Sequence, residues 1–142
     1  MKKILVVEKH RMAGRLLAFL LQKQGYVTQT ASNKIDAIQC LATGSIDLVI
    51  IDMKVSKIEA LSLLQEIRQN ILYQDLPIVI LTVGIDDGSR HMAKVSGADR
   101  VLKQPFPIPR LQQVINDLLQ TISFAMATHF GIPEFHSQPS RL

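Results

Sequence analysis

The sequence predicts one α/β domain built on an open parallel sheet. Residues 4–7, 48–51 and 78–81 are short, continuous apolar runs rich in β-branched side chains. Such runs mark strands buried on both faces by helices. Segments with apolar residues at helical spacing follow each run. The strand–helix order recurs five times in 142 residues, which calls for a parallel sheet with right-handed crossovers.

The elements follow in order. After the first strand, Leu16, Leu17, Leu20 and Leu21 mark a helix that Gly25 ends. Residues 26–30 are more polar and fit an edge strand. Ile35, Ile38, Leu41 and Ala42 mark the second helix, with Asn33 as its N-cap and Gly44 as its stop. The third strand is followed by a helix marked by Leu61, Leu64, Ile67 and Ile71. The fourth helix, around residues 87–95, shows only Met92 and Val95. Residues 100–103 are a second edge candidate, and Leu111, Val114, Ile115, Leu118, Leu119 and Ile122 mark the last helix. The domain is placed at 1–124; residues 125–142, with Gly131, Pro133 and Pro139, read as a tail or linker stub.

Composition narrows the function classes. A hydrophobic fraction of 47% with 20% charged residues excludes a disordered chain. The single cysteine, Cys40, excludes a disulfide framework within the chain and a multi-cysteine metal site; it reads as a small buried apolar residue in a reducing compartment. No apolar run reaches the ~20 residues of a membrane span, and Glu8 follows the first apolar run too soon for a signal peptide. A cytoplasmic protein is expected. Residues 1–34 carry seven Lys/Arg against Glu8 alone, a net +6, whereas the remainder is −2. That third is a solvated helix face or a surface for an acidic partner. Its cations are not interleaved with aromatics, which weighs against a nucleic-acid partner.

In an open α/β sheet, sites form beyond the carboxyl ends of the strands. The first central strand ends at Glu8, the third at Asp52 and the fourth at Thr82, while the fifth runs into Lys103, Gln104, Pro105 and Phe106. Taken alone, Asp52 could be a turn former. Together, a carboxylate pair, a hydroxyl and an amine around one aspartate suit phosphoryl chemistry.

This pattern resembles the receiver domain of two-component response regulators over about residues 2–122. The resemblance implies a flavodoxin-like (βα)5 fold with sheet order 2-1-3-4-5 and helices on both faces. It also implies Asp52 as phosphoacceptor, Thr82 as the hydroxyl switch, and a cis bond before Pro105. The turn Gly97-Ala98-Asp99 and the pair Pro105-Phe106 stand where the family has them. The departures are as informative. The family's two adjacent acids, which hold Mg²⁺, correspond to Glu8 and Lys9. The family's lysine before the proline corresponds to Gln104, its switch aromatic to Val101, and its Met-Pro and Gly after the phosphoacceptor to Val55, Ser56 and Ala60.

Mg²⁺ needs hard oxygen ligands, and Lys9 removes one while adding a cation. Two unit charges ~4 Å apart interact by roughly 4 kcal/mol at an effective dielectric of ~20, so weakened or absent Mg²⁺ binding at Glu8 and Asp52 is expected. One expectation is that the Lys9 ammonium takes the metal's place and pairs with Asp52 and Glu8; the other is that it points to solvent. Strand alternation keeps Lys103 from replacing Gln104, and Gln104 offers the site a neutral amide. The expected function is therefore a divergent receiver, not an enzyme, which works by protein–protein interaction with impaired Mg²⁺-dependent phosphorylation. The alternative is a working phosphoacceptor, modified at Asp52 by a histidine kinase or phosphotransfer protein. The resemblance further implies a downstream protein partner, or a homodimer, at the fourth helix, fifth strand and fifth helix. There Arg90, Lys94, Arg100, Lys103 and Arg110 stand against Asp99, which suits an acidic partner. A nucleotide-binding flavodoxin-like domain is disfavoured, because no glycine-rich loop follows the first strand.

Overall fold

The computed structural model describes residues 1–53, 57–83 and 87–129. The order is β1 (Lys3–Val7), α1 (Arg11–Lys23), β2 (Val27–Ala31), α2 (Lys34–Thr43), β3 (Leu48–Asp52), α3 (Lys57–Gln69), a 3-10 turn (Ile71–Tyr73), β4 (Ile78–Val83), α4 (Asp87–Val95), β5 (Arg100–Gln104) and α5 (Ile108–His129). All pairings are parallel, in the order β2-β1-β3-β4-β5. The edge strands are β2 and β5, the two with the most polar sequences.

Successive strand residues point to opposite faces, and the core divides accordingly. Ile4, Val6, Leu48, Ile50, Val79 and Leu81 pack against Leu21 of α1 and Leu111, Val114, Ile115 and Leu118 of α5. Leu5, Val7, Val49, Ile51 and Ile80 pack against α2, α3 and Ala93 of α4. The central strands are apolar throughout because both of their faces are covered.

Several expected core positions lie outside it. Leu16 is 61% exposed, Ile35 77%, Met92 47% and Val95 69%. In each helix small residues make the inward contact: Gly14 and Ala18 in α1, Ala37 and Cys40 in α2, Ala93 in α4. These let the backbone lie close to the sheet, and the larger neighbours turn outward. Ile71 does not extend α3, which ends at Gln69; it is exposed in the 3-10 turn, where the Asn70 side chain accepts from the Leu72 amide at 2.9 Å.

The α2 cap is as expected. The Asn33 side chain accepts from the Asp36 amide at 2.8 Å, and Glu59 of α3 accepts from the Lys34 amide at 3.1 Å. Asn33→Ala is expected to cost about 1 kcal/mol, lowering the calorimetric melting midpoint by about 3 °C for a domain of this size. Helix α5 continues past residue 124 to His129. Val55, Ser56, the Ile122 side chain and residues 130–142 lie outside the described residues.

Arg68, near the end of α3, ties three connections together. Its guanidinium donates to the carbonyls of Gly97 at 2.9 Å, Tyr73 at 3.0 Å and Leu76 at 2.7 Å, and to Asp99 Oδ2 at 2.8 Å. Asp99 Oδ2 also accepts from the Ile78 amide at 2.8 Å, at the start of β4. Gly97 has φ +116°, and a Cβ there would lie 2.7 Å from Arg68 Cγ.

Candidate functional site

The strand order reverses between β1 and β3, so the crevice beyond their carboxyl ends is the position this sheet offers a ligand. Glu8 and Asp52 stand there. Val7 pairs with Ile51, and each carboxylate follows its strand's apolar run. Glu8 is 5% exposed, and its amide donates to the Ala31 carbonyl at 2.9 Å, carrying the β1–β2 ladder one residue further. Gly14 of α1 leans on Glu8: a Cβ at Gly14 would lie 3.4 Å from Glu8 Cβ.

The other expected residues gather around Asp52. Asp52 pairs with Leu81 in β4, and Thr82 is the next residue, buried at the rim. The Gln104 side-chain amide donates to Asp52 Oδ2 at 3.5 Å, a long bond. Lys103 is exposed, so alternation along β5 puts the amide and not the cation at the site. The Gln104–Pro105 bond is cis.

Lys9 lies in the bend before α1 and is exposed, the placement expected of a strongly hydrated ammonium on a flexible stem. Lys9 borders a recess of about 30 Å³ shared with Asn33, Asp52 and Glu59, which has room for a water-sized group.

A groove with an exposed apolar lip was not legible in the sequence, whereas the burial of Cys40 was. A groove of about 490 Å³ runs from Asp52 and Glu8 between α1 and the β5–α5 connection. Beside it α1 exposes Met12, Leu16 and Phe19, with Lys23 Nζ 5.3 Å from the Phe19 ring centre. Cys40 is buried, and that burial, with Asp36 adding to it and Lys3 opposing, pushes the thiol's pKa up. It packs as a small apolar residue in the core.

This rim is the setting for the comparisons with known proteins. The profile of the response regulator receiver domain matches residues 4–116. The chain belongs to this family. The receiver is 34% identical over 112 residues to the sensor histidine kinase RcsC of Salmonella typhi, covering 79% of this chain and 12% of that protein. It is 31% identical over 119 residues to the probable transcriptional regulator ycf27 of Cyanidium caldarium, covering 84% of this chain and 47% of that one. The chain thus spans less than half the length of these relatives. Among solved structures, it is similar to a response regulator receiver domain protein from Clostridium thermocellum, with TM-score 0.79 and 28% identity, covering 88% of this chain and 99% of that one. TrrA of Thermotoga maritima, solved with Mg²⁺-BeF, matches with TM-score 0.72 and 31% identity, over 84% of this receiver and all of that chain.

Receivers are signalling modules of two-component systems that interact with histidine kinases and effectors, and they typically bind Mg²⁺. Here the described residues bring together no group of three or more His, Cys, Asp or Glu side chains suited to a metal ion. Glu8 and Asp52 bring two carboxylates to this rim, and Lys9 follows Glu8 in the chain. On the α4–β5–α5 side, Arg90, Lys94, Arg100, Lys103 and Arg110 are exposed with Met92 and Val95, while Asp99 is held by Arg68. No helix among the described residues is long and apolar enough to cross a membrane.

Proposed function

We propose that this receiver is an interaction module whose Mg²⁺-dependent phosphorylation at Asp52 is impaired. One observation carries the reading: Asp52 has the neutral Gln104 amide at 3.5 Å, with the cationic Lys9 at the head of α1 beside its recess. A phosphoryl group arriving at Asp52 brings negative charge that needs cations fixed against it. The neutral amide gives a hydrogen bond without charge, and the Lys9 cation repels the metal. Output then depends on a bound protein. The basic and apolar α4–β5–α5 face suits an acidic partner better than a second copy, because self-association there would set these cations against one another.

The second reading, a phosphoacceptor that still works, draws support from Thr82 standing one residue beyond the β4 partner of Asp52, at the same rim. Intact mass after incubation with a small phosphodonor and Mg²⁺ separates the two. The expected result is an unmodified wild-type chain, with an adduct gained by Lys9→Asp combined with Gln104→Lys. A metal-dependent adduct on the wild type, absent from Asp52→Ala, would overturn the proposal in favour of the second reading.

A further inference from the structure

Helix α1 turns an apolar stripe away from the domain. Met12, Leu16 and Phe19 recur at the spacing that puts them on one helix face, and they are 77%, 61% and 54% exposed. They stand outward because Gly14, Ala18 and Leu21 fill the side toward the sheet. From Met12 to Phe19 the stripe runs about 10 Å along the helix. Basic side chains frame it. Arg11 and Arg15 each precede a stripe residue and lie along one flank, and Lys23 stands one turn beyond Phe19, with Nζ 5.3 Å from the ring centre. Among the described residues no ion pair engages Arg11, Arg15 or Lys23. Residues 9–35 hold no Asp or Glu. Of the acids lining the cleft beside this flank, Glu8 is buried and Asp36 accepts from Asn33 Nδ2 at 3.1 Å.

We propose that α1 seats this receiver on the surface of an anionic lipid bilayer. The helix lies parallel to the membrane, and Met12, Leu16 and Phe19 enter the boundary between headgroups and acyl chains. Arg11, Arg15 and Lys23 lay their apolar stems on the same surface and carry their charges to the lipid phosphates. Shape and charge select this occupant. The stripe projects from a convex helix face, which a deformable bilayer accepts, whereas a protein partner needs matched relief there. A nucleic-acid duplex would engage the cations and leave the stripe in water. A second copy seated through α1 is opposed by charge, since α1 contains Arg11, Arg15 and Lys23 and no acidic residue. The proposal is independent of whether Asp52 accepts a phosphoryl group.

The test is vesicle co-sedimentation of the full chain, without metal or phosphodonor. One set of vesicles is phosphatidylcholine alone, and the other contains about one-third phosphatidylglycerol to supply a negative surface potential. The expected result is saturable binding to the mixed vesicles only, weakening as salt rises. Leu16→Ser with Phe19→Ser, both at exposed positions, should weaken binding at least about ten-fold by removing inserted apolar area. Arg11→Gln with Arg15→Gln should weaken it by a similar factor, at about five-fold for each cation near the surface. Arg90→Gln with Lys94→Gln makes the same charge change on α4, which covers the opposite face of the sheet. At about 0.1 M salt, where screening sets in beyond ~10 Å, that pair should leave binding unchanged. The chain has no tryptophan, so Phe19→Trp reports insertion directly, and its emission should shift to the blue on the mixed vesicles. An equal loss from the α4 pair, or unshifted Phe19→Trp emission in bound protein, would overturn the proposal in favour of adsorption by net charge. Absence of vesicle binding would overturn it too, and α1 amide shifts on adding an acidic amphipathic peptide would then assign the stripe to a protein partner.

Discussion

Lys9→Asp is expected to tighten Mg²⁺ binding by about ten-fold at low ionic strength, read by calorimetric titration. The substitution removes an ammonium and adds a hard oxygen ligand beside Glu8 and Asp52. Because Lys9 is exposed, its repulsion of the metal is screened well below the roughly 4 kcal/mol of a close pair at an effective dielectric of ~20. Exposed charge pairs are worth roughly 0.2–1 kcal/mol each, and the change of two charge units against a divalent ion amounts to about 1–2 kcal/mol on that scale. Screening also makes the gain shrink as salt rises. Gln104→Lys alone should move the affinity the other way, since it brings a cation to Asp52, which Gln104 already touches. If Lys9→Asp bound Mg²⁺ no more tightly than the wild type, the metal deficit would lie elsewhere in the rim and the role given to Lys9 would be wrong.

The opposite signs expected of these two substitutions come from geometry that the sequence revealed only in part. Where a residue's environment is set by its own strand, the sequence was sufficient. Residues 4–7, 48–51 and 78–81 are apolar because both faces of the sheet are covered, and Glu8, Asp52 and Thr82 follow from the strand ends. Gln104 rather than Lys103 reaches Asp52 because the pleat alternates, which sequence spacing also gives. Where the environment is set by a neighbouring helix, the sequence misled. Met92 and Val95 look like a buried stripe, yet Ala93 makes the contact, because closeness to the sheet favours the smallest side chain. The direction of Lys9 was undecidable for another reason: hydration and ion pairing compete within a few kcal/mol, and periodicity says nothing about either. The groove beside α1 arises from the spacing between two helices that are distant in sequence, which leaves no local pattern.

Arg68 is the extreme case of a residue with no sequence signature and a large expected effect. Four of its partners are backbone carbonyls, those of Tyr73, Gln74, Leu76 and Gly97, which any residue could supply, and its one charged partner, Asp99, is 31 residues away. Arg68→Ala removes these bonds and strands Asp99, whose Oδ2 retains the Ile78 amide. A loss of about 3 kcal/mol in urea unfolding is expected, from charge-assisted bonds worth roughly 1.5–3 kcal/mol each before water replaces some of them. Arg68→Lys should recover only a small part, because one ammonium cannot span the carbonyls of Tyr73, Leu76 and Gly97. Gly97→Ala separates the contributions. In the wild type it places a Cβ 2.7 Å from Arg68 Cγ as well as forcing alanine to φ +116°. In the Arg68→Ala background the clash disappears and only the backbone strain is left, so the two losses should sum to more than the double variant's by about 1 kcal/mol. A loss below about 1 kcal/mol for Arg68→Ala, or strict additivity with Gly97→Ala, would show that water serves these carbonyls as well as the guanidinium does.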